Sequence, residues 1–171
     1  MVMRIKVQQF EGTIAQYQSL VFTICLKMTK NYFDAEDLAQ ETFLSAYRNW
    51  ERFGGENPKA WLTTIAVNKC KDHLKSPARK NLPLPEEDAA LLRDPGGTPE
   101  ERAEDRLAQG RVRRLCRRLR EPYRSVAESY FCEDQKLSDL ARETGQNLRT
   151  LETRLYRAKK LLRALWEEET T

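Results

Sequence analysis

Residues 140–157 carry side chains suited to reading duplex DNA. Leu140, Ala141, Gly145 and Leu151 fall at the spacing of a helix-turn-helix. A small residue lets two helices approach, a glycine takes the sharp turn, and an apolar residue anchors the second helix. That second helix enters a major groove by its N-terminal end. Arg149, Thr150, Thr153, Arg154 and Arg157 then face outward, with Glu152 the sole acid. Arginine can bond both guanine acceptors, and threonine can meet phosphate or a thymine methyl. Lys159 and Lys160 lie further along and would meet only DNA backbone or nothing. The competing account is a plain helical hairpin with a solvated basic side.

A second constellation surrounds Gly54 and Gly55. Tyr47, Trp50, Phe53 and Trp61 flank that loop, and Thr64, Asn68, Lys71 and Lys75 follow on one side of the next helix. Aromatic rings interleaved with amide and lysine groups suit single-stranded DNA, since bases stack on rings and phosphates meet ammonium groups. Aromatics between three helices are equally the material of a core. A third set is acidic. Asp37, Gln40, Glu41 and Leu44 stand three and four apart, which places them on one side of a helix. An acidic strip with one outward leucine suits a basic partner helix, and a merely solvated surface has the same composition.

No catalytic set emerges. There is no phosphate-cradling glycine loop, and the single histidine, His73, stands in no pattern with a nucleophile. Asp34, Glu36 and Asp37 form a carboxylate cluster that helix capping explains. Cys25, Cys70, Cys116 and Cys132 lack the CxxC spacing of a zinc site and sit beside apolar residues, so four buried thiols are expected, with no metal or other cofactor. The first ten residues do not read as a signal peptide, and no apolar run approaches spanning length. A reducing cytoplasm and no membrane insertion are the expectation.

The elements that must position these residues are helical. The 171 residues contain seven glycines and seven prolines, and 33% of them are charged against 40% hydrophobic. Net charge is only +4, but it is segregated: acids crowd residues 34–41 and 86–105, arginines residues 111–120 and 149–163. Two partners of opposite sign follow from that pattern. The helical period predicts helices near 10–30, 34–53 (capped by Asp34, with Leu38, Ala39, Thr42, Phe43, Ala46 and Tyr47 inward) and 58–76 (capped by Asn57, with Trp61, Leu62, Ile65, Ala66 and Lys69 on one side). Prolines and a glycine pair make residues 77–97 a linker. Thr98 and Glu101 have capping-box spacing for a helix to about residue 119, with Val112, Leu115, Cys116 and Leu119 inward. Helices near 123–131, 137–144 and 148–168 follow, the last with the stripe Leu148, Leu151, Leu155, Ala158, Leu162 and Leu165. The expected fold is all-α: two small helical domains, residues 1–76 and 98–171, on a flexible linker.

Three stretches, in order, resemble the sigma-70 family of RNA polymerase sigma factors. Asp34-Ala35-Glu36-Asp37-Leu38-Ala39-Gln40-Glu41-Thr42-Phe43 is similar to the core-binding motif of its region 2, and Trp61-Leu62-Thr63-Thr64-Ile65-Ala66-Val67-Asn68 to the promoter-melting helix. Leu119-Arg120-Glu121-Pro122-Tyr123-Arg124-Ser125-Val126 with the helix-turn-helix resembles region 4. Without further middle domains, the resemblance is to the extracytoplasmic-function group. It implies a transcription-initiation factor with no enzymatic activity and no small-molecule substrate. Asp37, Gln40, Glu41 and Leu44 would grip the clamp of the largest polymerase subunit, and the second domain would meet the flap of the second-largest. Phe53, Asn57, Trp61, Thr64, Asn68, Lys71 and Lys75 would hold a melted −10 element with a flipped base; Arg149, Thr150, Thr153, Arg154 and Arg157 would read a −35 duplex. An anti-sigma factor, often membrane-anchored, is a further implied partner. Thr64, Arg120, Gln135-Lys136 and Glu152 depart from the usual family residues. The alternative function is a helix-turn-helix regulator that binds operator DNA without polymerase.

Overall fold

The computed structural model describes residues 1–76 and 99–171. Among these residues every regular element is helical: α1 Val2–Thr29, α2 Tyr32–Asn49, α3 Pro58–Lys75, α4 Pro99–Arg118, α5 Tyr123–Ala127 with a π-helical turn Glu128–Cys132, α6 Leu137–Thr144 and α7 Leu148–Thr170. They group into two compact units. One holds Met1–Lys30 and the chain from Asp34 through α3; the other holds Asn31–Phe33 and Pro99–Thr171. The expected linker, residues 77–97, and Thr98 of the expected capping box lie outside the described residues. No described helix is long and apolar enough to cross a membrane.

In the first unit α1 starts well before the expected residue 10 and ends at Lys30, whose left-handed backbone (φ 57°) sends its N–H to the Leu26 carbonyl. The Asn31 side chain then accepts the Phe33 N–H at 3.1 Å. That bond places the start of α2 two residues ahead of Asp34, so Asp34 is not the cap. It sits in the first turn, 3% exposed, with its carboxylate 3.6 Å from His73 Nε2 on α3. Leu38, Ala39, Thr42 and Ala46 are buried as the period requires, whereas Tyr47 is 54% exposed. The inner side of α3 is Leu62, Thr63, Ala66, Cys70 and Leu74. The expected stripe is thus rotated by about one residue, and Trp61, Ile65 and Lys69 are only half-buried. Val21, Ile24 and Cys25 of α1 meet Leu38 and Ala46 of α2 and Leu62 and Cys70 of α3 in one apolar core.

In the second unit Val112, Leu115, Cys116 and Leu119 of α4 close on Ala127, Ala158, Leu162 and Trp166. A second cluster joins α5 to the hairpin: Val126, Leu151 and Leu155, with Leu137, Leu140 and Ala141 against them. The expected helix over 123–131 is α-helical only to Ala127 and then widens into the π-helical turn. Two residues before α5, Glu121 accepts the Ser125 hydroxyl at 2.7 Å and the Ser125 N–H at 3.3 Å. The Ser125 hydroxyl bond holds the Glu121 carboxyl below its ordinary range.

Three of the arginines of α4 meet one acid. Arg111 Nε, Arg114 and Arg118 converge on Glu169 of α7 at 3.1, 3.4 and 3.3 Å. Arg111 also lies 3.7 Å from the centre of the Trp166 ring, a cation–π contact. Partial desolvation raises the Glu169 carboxyl, but the hydrogen bonds and charges of Arg111 and Arg114 outweigh it and hold the group below its usual value of 4.5. A carboxyl depressed on folding contributes stability above its unfolded pKa and loses it as pH falls through the folded one. Urea midpoints of the second unit are therefore expected to fall as pH drops below about 4.5. Glu169→Gln should lower the midpoint near neutral pH and flatten that acid dependence; an unchanged slope counts against the arginine clasp.

Candidate nucleic-acid interface

The helix-turn-helix is built as its residues require. Gly145 ends α6 in the left-handed region (φ 69°), where a side chain would be strained. Asn147 caps α7, its side chain accepting the Arg149 N–H at 2.8 Å. This cap drew no attention from sequence, although asparagine just before an apolar-periodic run is its ordinary signal. Leu151, Leu155, Ala158 and Leu162 seat α7 inward, joined by Trp166; Leu148 is 40% exposed and Leu165 half-buried.

Every residue from 142 to 150 is exposed, so the first turn of α7 stands bare. Arg149, Thr150, Thr153 and Arg157 are exposed and share the outward side; Arg154 is half-buried and its guanidinium donates to Gln146. The Thr153 hydroxyl donates to the Arg149 carbonyl at 3.0 Å, which leaves its methyl as the outward group. Lys159 is not idle: its ammonium lies 5.2 Å from the Tyr130 ring centre.

In the first unit Phe53 and Trp61 stack face to face, centroids 4.1 Å apart and planes 8° apart. Trp50 stands against both, and Phe10 of α1 packs edge-on to Trp50 at 5.1 Å. One face of the half-buried Trp61 is therefore taken by Phe53. Beyond it Thr64, Asn68, Lys71 and Lys75 follow at spacings of three and four on one side of α3; all but the half-buried Lys71 are exposed. The Thr64 hydroxyl donates to the Ala60 carbonyl at 2.9 Å. Gly55, in the left-handed region (φ 80°), turns the chain toward α3.

Asn57 has a structural task as well as an exposed position. Its side-chain oxygen accepts the Ala60 N–H at 3.2 Å, and its own backbone is left-handed (φ 47°). Asn57→Ala removes the cap and strains the turn, so a loss of about 1–2 kcal/mol is expected. Asn57→Gly keeps the turn and should cost only a few tenths of that scale. Urea unfolding of both variants checks the ranking, and equal losses would show that the turn and cap are not what holds this corner.

On α2, Gln40, Glu41 and Leu44 are exposed and Asp37 half-buried, all on one side. The Gln40 amide donates to Glu36 at 3.2 Å. Leu44 is 57% exposed, an apolar side chain set beside acids.

Residues 13–80 match Sigma-70 region 2. The chain is 36% identical over 96 residues to the ECF RNA polymerase sigma factor SigG of Mycobacterium tuberculosis, covering 56% of this chain and 25% of that protein. It is 28% identical to the RNA polymerase sigma factor SigV of Bacillus subtilis, over 88% of this chain and 86% of that one. To the ECF RNA polymerase sigma factor BldN of Streptomyces coelicolor it is 29% identical, over 90% of this chain and 59% of the relative. The match thus spans a quarter of the length of SigG and most of SigV. Residues 13–80 are thus similar to Sigma-70 region 2, and over most of its length the chain is similar to RNA polymerase sigma factors, BldN among them of the ECF group.

Proposed function

We propose that this chain is a transcription-initiation factor that binds core RNA polymerase and directs it to promoters. Region 2 spans residues 1–76, region 4 spans 98–171, and 77–97 link them. Asp37, Gln40, Glu41 and Leu44 dock the largest subunit, and the second unit engages the flap of the second-largest. The stacked Phe53 and Trp61 with Asn57, Thr64, Asn68, Lys71 and Lys75 hold the opened −10 strand. Bases leave the duplex for ring and pocket contacts, a few kcal/mol of unstacking per step offset by protein contacts. Arg149, Thr150, Thr153, Arg154 and Arg157 read the −35 duplex. The factor contributes contacts and catalyses no reaction, and it works in the cytoplasm, with an anti-sigma protein as its expected regulator.

The observation that carries this reading is one chain bearing both a bare, basic first turn of α7 and an acidic strip with the outward Leu44. Two small DNA-binding modules bind weakly unless something holds them at the right separation. Run-off transcription with purified core polymerase tests it. Promoter-specific transcripts that appear only with the factor are expected. Tight binding of the isolated protein to one duplex site, with no transcript across many templates, would instead establish a polymerase-independent regulator.

A further inference from the structure

The four cysteines form two neighbouring pairs. Cys25 of α1 and Cys70 of α3 share the core of the first unit, and Cys132 at the end of the π-helical turn packs against the core that holds Cys116 of α4. All four are free thiols. Cys25 and Cys70 are both 0% exposed within the core of the first unit. Cys116 is also fully buried, but Cys132 is only partly so and packs against that same core from its rim. Sequence alone suggested four equivalent buried thiols; the structure makes one pair sealed and the other open on one side.

We propose that Cys132 is a peroxide-reactive thiol and that Cys116 is its resolving partner, the two closing an intramolecular disulfide under oxidation. The exposed edge of Cys132 lets hydrogen peroxide reach its sulfur, and access selects the site of thiol oxidation as much as acidity does. The Cys132 thiolate takes one oxygen from peroxide, releasing hydroxide and leaving a sulfenic acid. The Cys116 sulfur then attacks the Cys132 sulfur, displaces hydroxide and gives up its proton, so water leaves and the disulfide forms. Peroxide is reduced and the two thiols are oxidised. Burial, with the neighbouring Cys132 charge and hydrogen bond, pushes the Cys116 thiol well up.

The π-helical turn is the element that can accommodate the bond. Its wider i→i+5 closure is made by the Glu133 N–H donating to the Glu128 carbonyl at 3.1 Å. A disulfide needs its Cβ atoms about 3.8 Å apart with a near-perpendicular dihedral. Cys132 ends that turn and leads into the loop before α6, so the bond would tie α4 to the entrance of the helix-turn-helix. Oxidation would thereby constrain the module that carries Arg149 and Arg154.

The test uses the full chain, native and reduced, treated with hydrogen peroxide and analysed by intact mass and peptide mapping. The expected product has lost two hydrogen atoms, maps to Cys116–Cys132, and reverts with dithiothreitol. Cys116→Ser should leave a sulfenic acid at Cys132, trapped by dimedone, and Cys132→Ser should block the mass loss. A chain that keeps all four thiols, that over-oxidises Cys132 without a disulfide, or that bridges Cys25 to Cys70 instead overturns the proposal. The measurement involves neither polymerase nor DNA, so its failure leaves the proposed function standing.

Discussion

Glu41→Arg is expected to abolish co-elution of this protein with core RNA polymerase while leaving its fold intact. Glu41 is exposed on α2. Reversing its charge costs the helix at most the few tenths of a kcal/mol typical of i,i+4 pairs. Against a basic partner helix the same change replaces attraction by like-charge contact, worth several kcal/mol. At about 1.4 kcal/mol per tenfold, an affinity loss of about a hundredfold or more follows. Asp37→Arg should act in the same direction, but Asp37 is half-buried, so its loss would mix docking with folding. Leu44→Ala isolates the apolar part of the same strip, because its side chain is 57% exposed. A competition assay on core polymerase against a reference sigma factor, with circular dichroism as the folding control, measures all three. Undiminished competition by Glu41→Arg would remove α2 from the polymerase interface.

Helices whose sequence signals agree with one another are legible from sequence, and the differences lie where distant helices decide the outcome. The stripe of α7 is legible because its period is sustained and its turn is marked by Gly145, and its cap, Asn147, carries the ordinary asparagine signal. The start of α2 was misread because Asn31 and Asp34 are both good caps. Only the tertiary contact with His73 on α3 shows that Asp34 is held inside. The phase of α3 slipped because Trp61 is large and apolar and reads as core, whereas its stack on Phe53 keeps it at the rim. The charge pattern of α4 is likewise incomplete in sequence. Its arginines suggest a basic surface, but three of them converge on Glu169, more than fifty positions away in the chain. Arg113, Arg117 and Arg120 remain exposed. Local spacing fixes which side of a helix a residue occupies; it does not say which charges are already matched by a distant helix. The candidate site was legible for the same reason the core of α7 was: exposed residues 149, 153 and 157 recur at the helical period on the side opposite the buried leucines.

Leu151→Ala is expected to destabilise the second unit strongly. Leu151 is 0% exposed and shares its cluster with Val126 and Leu155, so it fastens α7 to α5 directly beneath the bare first turn of α7. Truncating a fully buried leucine removes its transfer free energy and leaves a cavity, typically 2–5 kcal/mol together. That is a large part of the stability a unit of this size can have. Leu148→Ala, three residues earlier on the same helix, removes the same atoms from a side chain that is 40% exposed. It should cost well under half as much, because little cavity forms at a position open to water. Urea unfolding followed by amide exchange of α7 would compare the two. If α7 is held by Leu151, its exchange protection collapses in the first variant and survives in the second, and −35 duplex binding is lost with it. Equal losses at both positions would mean that α7 is seated by its C-terminal half alone, through Leu162 and Trp166, and that its first turn is positioned by something other than this cluster.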